Sequence, residues 1–377
     1  MFHKLPDIKK VDVKNKTVFV RADLDVPLNK LIIEDDTRLL AGLPTIEYLI
    51  NHNARVIIGG HLGRPEKKFS IFNFQFSKVE KELSLEPVAK WYVHKFKIHP
   101  PAGGSKFKIN MDGFEGWKLS ENLILLENLR FFKEEEENDL NFAKKLASLA
   151  DVFVNDAFAM SHRKHTSVFG LAKQLPHFAG LRLQKEVGEL GAVLINPRRP
   201  LVVVIGGKKV ETKLPLVEKM HQIADYVLVG GKIAQEKGVF LKVQHEKIRP
   251  LAGKRKSVLL VANSNEDGTD ITQKDAENFL QIIDLAKTVV WNGPMGLLSS
   301  KFKVQSLKSD TEMGTRIIAK GIAESNAYKI VGGGDSTEFL KRIGVYDKFN
   351  FVSTGGGAML SFLSGEKLPG LEALNPG

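Results

Sequence analysis

The chain has 377 residues, 43% of them hydrophobic and 26% charged, the make-up of an ordinary folded protein with room for roughly two to three domains. It contains no cysteine, which excludes disulfides, thiolate zinc sites and cysteine nucleophiles. Lysine and arginine exceed aspartate and glutamate by 55 − 44 = 11, a surplus that favours anionic partners such as phosphorylated metabolites, nucleic acid or acidic membrane surfaces. The basic residues lie in short scattered clusters such as Lys254–Lys256, which argues against a dedicated nucleic-acid stripe. The first residues hold no apolar core of signal-peptide length, and no apolar run approaches the ~20 residues that span a bilayer. The expectation is a cytoplasmic protein with neither nucleic acid nor membrane as partner.

Lys16–Val20 is a short β-rich run continued by Arg21-Ala-Asp-Leu-Asp-Val-Pro27. Its alternation predicts a strand end with Arg21, Asp23 and Asp25 on one face, stopped by Pro27. Asp35 and Asp36 are placed to cap a helix that carries Arg38, Leu39, Leu40, Leu43, Ile46 and Leu49 at helical spacing. Arg55–Gly60 reads as a strand ending in glycines. The loop His61-Leu-Gly-Arg-Pro65 follows it at the usual ligand edge of an α/β sheet. Residues 66–120 are less regular; the four aromatics of Phe69–Phe76 and the loop Pro100–Gly104 point to no function. Strand Leu123–Arg130 ends on another arginine, and Glu134–Glu137 reads as a solvated turn before a helix over 139–149. Asp151–Phe158 is a further strand, followed by Ser161-His-Arg-Lys-His165.

Arginines thus recur after strands at Arg21, Arg64, Arg130 and Arg163, with Arg38 close behind the first. At equivalent ends of parallel strands they would converge on one rim, where the guanidinium fork suits carboxylate or phosphate. The competing reading is a set of independent surface or helix-capping arginines. His61, His162 and His165 lack carboxylates at ligand spacing, so they read as donors to the same anion or as structural residues.

Leu181–Ile195 has helical periodicity and Asn196–Pro200 is a proline-bounded connection. This places a first domain over 1–181, a helix and connection over 182–200, a second domain over 201–362 and a tail over 363–377. The second half repeats the βα rhythm, with strands at 201–205, 226–229, 257–261, 288–292, 327–330 and 349–353. The predicted fold class is α/β: two doubly wound parallel-sheet domains with a cleft and hinge between them.

In Leu201–Lys213 a buried strand runs into Gly206-Gly207, then Lys208 and Lys209 at a helix start and Lys213 one turn further. Bare amides and the positive helix end make an anion site, and lysines there suit phosphate. Alone, the stretch reads equally well as a βα turn with solvated lysines. Five strands of this half end in Gly-rich turns, at 206–207, 230–231, 293–296, 332–334 and 355–357. Singly these are routine punctuation; as a set they outline a nucleotide pocket. Asp335, after three glycines, is placed to hold a Mg²⁺ that bridges phosphates, although Asp is also a favoured N-cap. No Walker A or Gly-x-Gly-x-x-Gly pattern is present, which counts against P-loop NTPases, protein kinases and Rossmann dehydrogenases. An arginine-lined half and a glycine-lined half suit phosphoryl transfer, which runs on positioning and charge neutralisation.

Arg21–Pro27, His61–Pro65, Glu127–Phe131, Val154–Phe158 with His162-Arg163, Gly206–Val210, Trp291–Pro294, Gly332–Asp335 and Ser353–Gly357 carry a family resemblance. From near Val11 to Leu374 the sequence resembles the phosphoglycerate kinase family. The resemblance implies reversible phosphoryl transfer between 1,3-bisphosphoglycerate and MgADP, giving 3-phosphoglycerate and MgATP in glycolysis. It further implies ATP or ADP as co-substrate, Mg²⁺ as cofactor, a monomer, and closure by a hinge. The phosphoglycerate would meet Asp23, Asp25, Arg38, His61, Arg64, Arg130 and Arg163. The nucleotide would meet Gly207, Lys209, Lys213, Gly230, Gly231, Asn292, Pro294, Ser299, Gly332, Gly333, Gly334, Asp335 and Ser336, with Asp335 at the metal. Arg38, Lys209, Gly333 and Gly356 are the implied catalytic set, and Leu368–Leu374 resembles the segment that returns to the first domain.

Five positions depart from the family pattern. Asp25 stands in place of Asn, Lys208 of Ala, Thr212 of Asp, Lys232 of a third Gly, and Ser299 of the Glu that holds the ribose. An ionised Asp25 only accepts hydrogen bonds, and with the arginines engaged by substrate the expectation is that it stands unpaired and repels the bound anion. The runner-up reading is a phosphometabolite- or nucleotide-binding protein on the same fold with little catalysis.

Overall fold

Apolar runs punctuated by glycine and proline become the strands of two α/β sheets in the computed structural model. It describes residues 5–66, 68–70, 81–98, 108–236, 238, 257–298 and 310–375. Ser299, Lys254–Lys256, Pro100–Gly104 and most of Phe69–Phe76 lie outside those residues. The chain divides into two compact units, residues 1–188 with 367–377 and residues 189–366. Among the described residues no helix is long and apolar enough to cross a membrane.

The first unit begins with β1 (Thr17–Arg21) and a small antiparallel hairpin of β2 (Leu28–Asn29) and β3 (Ile32–Ile33). Helix α1 (Thr37–Asn51), β4 (Arg55–Gly59), α2 (Glu86–Lys95), β5 (Lys108–Met111), β6 (Phe114–Ser120) and β7 (Leu123–Leu126) follow. Then come α3 (Lys133–Glu137), α4 (Leu140–Ala147), β8 (Val152–Asn155) and β9 (His177–Ala179). The sheet order is β5-β6-β7-β4-β1-β8-β9. Its last five strands are parallel. The β5 and β6 edge is antiparallel, because two residues between β6 and β7 leave no room for a parallel crossover.

Helix α1 buries Leu39, Leu43, Ile46 and Leu49 on one stripe, the face that its 3–4 spacing dictates. The Asp35 carboxylate accepts from Thr37 N at 2.9 Å, satisfying a free amide at the helix start; Asp36 instead accepts from Trp91 Nε1 at 3.0 Å. The strand expected to run through Asp25 ends at Arg21. Its neighbours β4 and β8 stop at the same level, with Arg21 opposite Gly59 and Asn155, so no ladder partner remains and Asp23 and Asp25 continue as loop. The acidic run is corrected too: Glu134–Glu137 is helical as part of α3, with Glu134 and Glu135 buried.

Helix α5 (Leu181–Ile195) carries the chain into the second unit. There β10 (Leu201–Ile205), α6 (Val210–Ile223), β11 (Tyr226–Val229), β12 (Val258–Val261), α7 (Gln273–Asp284) and β13 (Thr288–Asn292) come first. They are followed by α8 (Met313–Glu324), β14 (Tyr328–Gly332), α9 (Gly334–Arg342) and β15 (Phe351–Ser353). The sheet is wholly parallel, in the order β12-β11-β10-β13-β14-β15. Every residue of β10 and β13 is buried, as expected of central strands covered on both faces. The strand order reverses between β10 and β13, and a ligand crevice forms at the carboxyl ends on either side of such a switch.

The C-terminal residues belong to the first unit. Gly370 N donates to Ser161 O at 2.8 Å, and Leu368 and Leu374 are buried. A Cβ on Gly370 would lie 2.8 Å from Ser161 Cα, so this approach demands glycine.

Candidate active site

The reversal between β10 and β13 opens into a cavity of about 780 Å³. Gly207, Gly231, Gly333, Gly334 and Gly356 line it, together with Lys208, Lys209, Lys213, Lys232, Asn292, Pro294, Asp335 and Ser336. Gly207 turns with φ +104° and Gly333 with φ +101°, a region closed to most side chains. Lys209 is the N-cap of α6, Gly333 of α9, and Gly356 of the short helix Gly357–Leu363. Three helix starts therefore border one cavity, each offering free amides and a partial positive charge.

One turn into α6, Lys213 is 8% exposed and its Nζ donates to Asn292 Oδ1. Burial pushes its pKa down to about 8, while the Asp335 carboxylate pulls the other way. The Ser336 hydroxyl accepts from Gly293 N at 3.0 Å, which ties the α9 start to the loop after β13. Gly230 and Gly332 do not line the cavity. A Cβ on either would meet Met295 Sδ at 2.5 Å or Met359 Sδ at 2.2 Å, so these glycines admit methionines packed against the strand ends. Ser299 is not among the described residues.

Sequence reasoning passed over Asp270, which lines the cavity and is 3% exposed. Its carboxylate accepts from Gly314 N at 2.7 Å and Ile271 N at 2.8 Å. Burial raises its pKa to about 6 against the pull of those bonds. Only its position two residues before the N-cap Thr272 of α7 hinted at it.

In the first unit a separate cluster forms where β1, β4, β7 and β8 end. Arg38, in the first turn of α1, donates from Nη1 to Asp25 O at 2.6 Å. Its Nε lies 3.6 Å from Asp23 Oδ2 and its Nη1 3.4 Å from Asp25 Oδ2. The charge of Asp23 above all holds the Arg38 pKa up against its partial burial. Asp25 is therefore paired, contrary to expectation: it also accepts from Gly63 N at 2.9 Å and lies 3.8 Å from His61 Nε2. The loop after β1 folds back over the start of α1 and delivers these partners.

Arg130, 3% exposed, donates from Nη1 to Gly63 O at 2.7 Å. Its Nε sits 3.2 Å from Glu136 Oε1, while its buried Nη2 has no hydrogen-bond partner among the described residues. Burial lowers its pKa, as do Arg163 and Arg21, so cations are crowded here with a buried donor unspent. An anion would satisfy both conditions. Arg163 donates from Nε to His162 Nε2 at 3.3 Å, and Arg64 is exposed on the loop beyond Gly63. Behind the cluster lie Arg21, Glu135 and Ser167, all buried. Sequence reasoning missed Glu135; its spacing of three and four from the buried Phe132 and Phe131 was the available signal.

The two sites suit two anions. One offers guanidinium and imidazole donors for a small acid. The other offers lysines, helix starts and backbone amides for a chain of phosphates, with Asp335 and Asp270 among its carboxylates. Among the described residues no group of three or more His, Asp or Glu could hold a metal. One carboxylate ligand, Asp335, suffices for a Mg²⁺ that arrives on phosphates and keeps most of its water.

A family model described as phosphoglycerate kinase matches residues 8–252 and 251–366. The chain is 38% identical to phosphoglycerate kinase of Moorella thermoacetica over 97% of this chain and 98% of that protein. It is 39% identical to that of Dictyoglomus turgidum, over 98% of each. Among solved structures, phosphoglycerate kinase from Coxiella burnetii superposes with a TM-score of 0.76 at 32% identity, covering 98% of this chain and 99% of that one.

Proposed function

The chain belongs to the phosphoglycerate kinase family, a kinase of glycolysis with ATP and ADP as co-substrates, and we propose that its two units divide the two substrates between them. The arginine cluster of the first unit takes 3-phosphoglycerate or 1,3-bisphosphoglycerate. The cavity of the second takes the adenine nucleotide, with Asp335 holding the Mg²⁺ that travels on it. We read the protein as a cytoplasmic monomer.

The acceptor in the ATP-consuming direction is a carboxylate, already ionised at neutral pH. No residue need remove a proton, and positioning and charge neutralisation remain as the protein's task. Arg130 and Arg163 fix the acid, assisted by exposed Arg64 and by the His61 N–H. Arg38 and Lys209 neutralise the oxygens of the transferring group, and the amides about Gly333 and Gly356 add fixed positive dipoles. Lys213 balances the nucleotide phosphates. Mg²⁺ bound at Asp335 would withdraw charge from those phosphates.

The observation that carries this reading is Lys213, an ammonium buried at a helix start, with Asn292 as its hydrogen-bond acceptor, in a glycine-lined cavity. A coupled assay with 1,3-bisphosphoglycerate and MgADP, and its reverse, tests it. Binding of both substrates without turnover would leave the binding-protein reading in its place.

A further inference from the structure

Arg21 ends β1 and is fully buried. Its Nε donates to Ser167 Oγ at 2.8 Å, its Nη1 donates to Ala22 O, and its Nη2 lies 3.1 Å from His61 Nδ1. A guanidinium has no acceptor atom and stays protonated. The Arg21–His61 contact is therefore a hydrogen bond only if Nδ1 accepts. The neutral ring must then carry its proton on Nε2, the atom 3.8 Å from Asp25 Oδ2. Protonation of Nδ1 would set two buried donors against each other.

The chain behind Arg21 also has one consistent direction. Ser167 has a single hydroxyl proton; it accepts from Arg21 and donates to Glu135 Oε1 at 2.5 Å. Ser167 N donates to Glu135 Oε2 at 2.9 Å. Glu135, 1% exposed, thus supplies the buried negative charge that holds the Arg21 guanidinium in place, as a buried cation requires. The other charged or titratable groups that act on His61 are Arg38 on α1, Arg130 after β7 and His165 before the helical turn Thr166–Gly170, in addition to Asp25. Burial, then Arg21, Arg130, His165 and Arg38, all lower its pKa.

We propose that Arg21 is a positioning residue that locks His61 as the neutral Nε2–H tautomer, with Ser167 and Glu135 holding Arg21 in register. His61 then offers a fixed N–H to the substrate anion over a pH range in which a free histidine would change charge. This deepens the role given to His61 above and rests on that reading only for the identity of the anion.

The test is a long-range ¹H–¹⁵N correlation spectrum of ¹⁵N-histidine-labelled protein without ligand, from about pH 5.5 to 8.5, with His61→Gln to identify the signals. The expected wild-type pattern is a neutral ring with its proton on Nε2 that does not titrate. In Arg21→Met the ring should become a tautomer mixture and titrate within that range. Ser167→Ala, which leaves Arg21 present but unheld, should show a smaller shift in the same direction and serves if Arg21→Met does not fold. A wild-type His61 that carries its proton on Nδ1, or that titrates near an ordinary histidine pKa, overturns the proposal. So does an unchanged pattern in whichever variants fold. Adding 3-phosphoglycerate separates the two readings: an unmoved Nε2–H signal in a locked ring counts against His61 as a substrate contact and leaves the lock standing.

Discussion

The protonation of Lys213 should make nucleotide binding depend on pH in a way no other part of the cavity would reproduce. Its pKa falls from 10.5 to about 8, so keeping it charged in the empty site costs roughly 3 kcal/mol. Phosphates placed against it remove that penalty and return the pKa toward its ordinary value or above. At about pH 8.5 the free site is roughly three-quarters neutral, so ADP should bind with uptake of about 0.7 proton. ADP is fully ionised at that pH, so its own titration adds nothing. Calorimetry in two buffers of different ionisation enthalpy measures the uptake directly. From about pH 8 to 10.5 the Kd should rise by up to tenfold per pH unit. Lys213→Arg should keep its charge and show no uptake. The sign for folding follows from the same shift: between the native value of about 8 and the unfolded 10.5 the unfolded chain binds more protons, so this residue makes stability rise with pH across that window. Uptake near zero at pH 8.5 in the wild type, or equal uptake in Lys213→Met, would refute the argument.

Lys209→Ala should lower kcat by about 10²–10³-fold, by analogy with the loss of one donor to a developing anion, with a smaller change in KM; steady-state kinetics showing kcat within a few-fold of the parent would remove Lys209 from the mechanism. Asp25→Asn should raise KM for 3-phosphoglycerate a few-fold with kcat little changed, since the partly exposed pair that aims Arg38, worth up to about 1 kcal/mol, disappears. The Asp25 backbone oxygen and Asp23 still hold Arg38 in that variant, so a lowered KM would show that the carboxylate chiefly competes with the substrate for the guanidinium.

The parts of the fold legible in the sequence were those that local chemistry determines. Strand β10 and helix α5 lie where a bounded apolar run and a 3–4 periodicity put them, because burial on two faces and on one stripe leave different patterns. Strand order left no such mark. The antiparallel β5 and β6 edge follows from a short connection that the pattern of residues 66–120 did not reveal. Among the glycines, sequence gave position but no direction: Gly207 and Gly231 line the cavity, whereas Gly230 and Gly332 are held small by Met295 and Met359.

The charged residues divide along the same line, and the division explains why the first-unit cluster was misread in part. An arginine after a strand marks a rim, so Arg38, Arg130 and Arg163 could be grouped before any contact was known. What each carboxylate does there depends on a partner brought from elsewhere in the chain. Glu135 in a run of four glutamates looks solvated until Ser167 donates to it twice, and Asp25 looks repulsive until Gly63 and Arg38 reach it. Burial of the glutamate beside the arginines lets the cluster remain packed before an anion arrives. Like-charged guanidiniums would otherwise need solvent between them: burial first, and then Arg163 and Arg21, lower the Arg130 pKa. The acids are thus part of the binding site: they hold the arginines close enough together for one small anion to meet several of them.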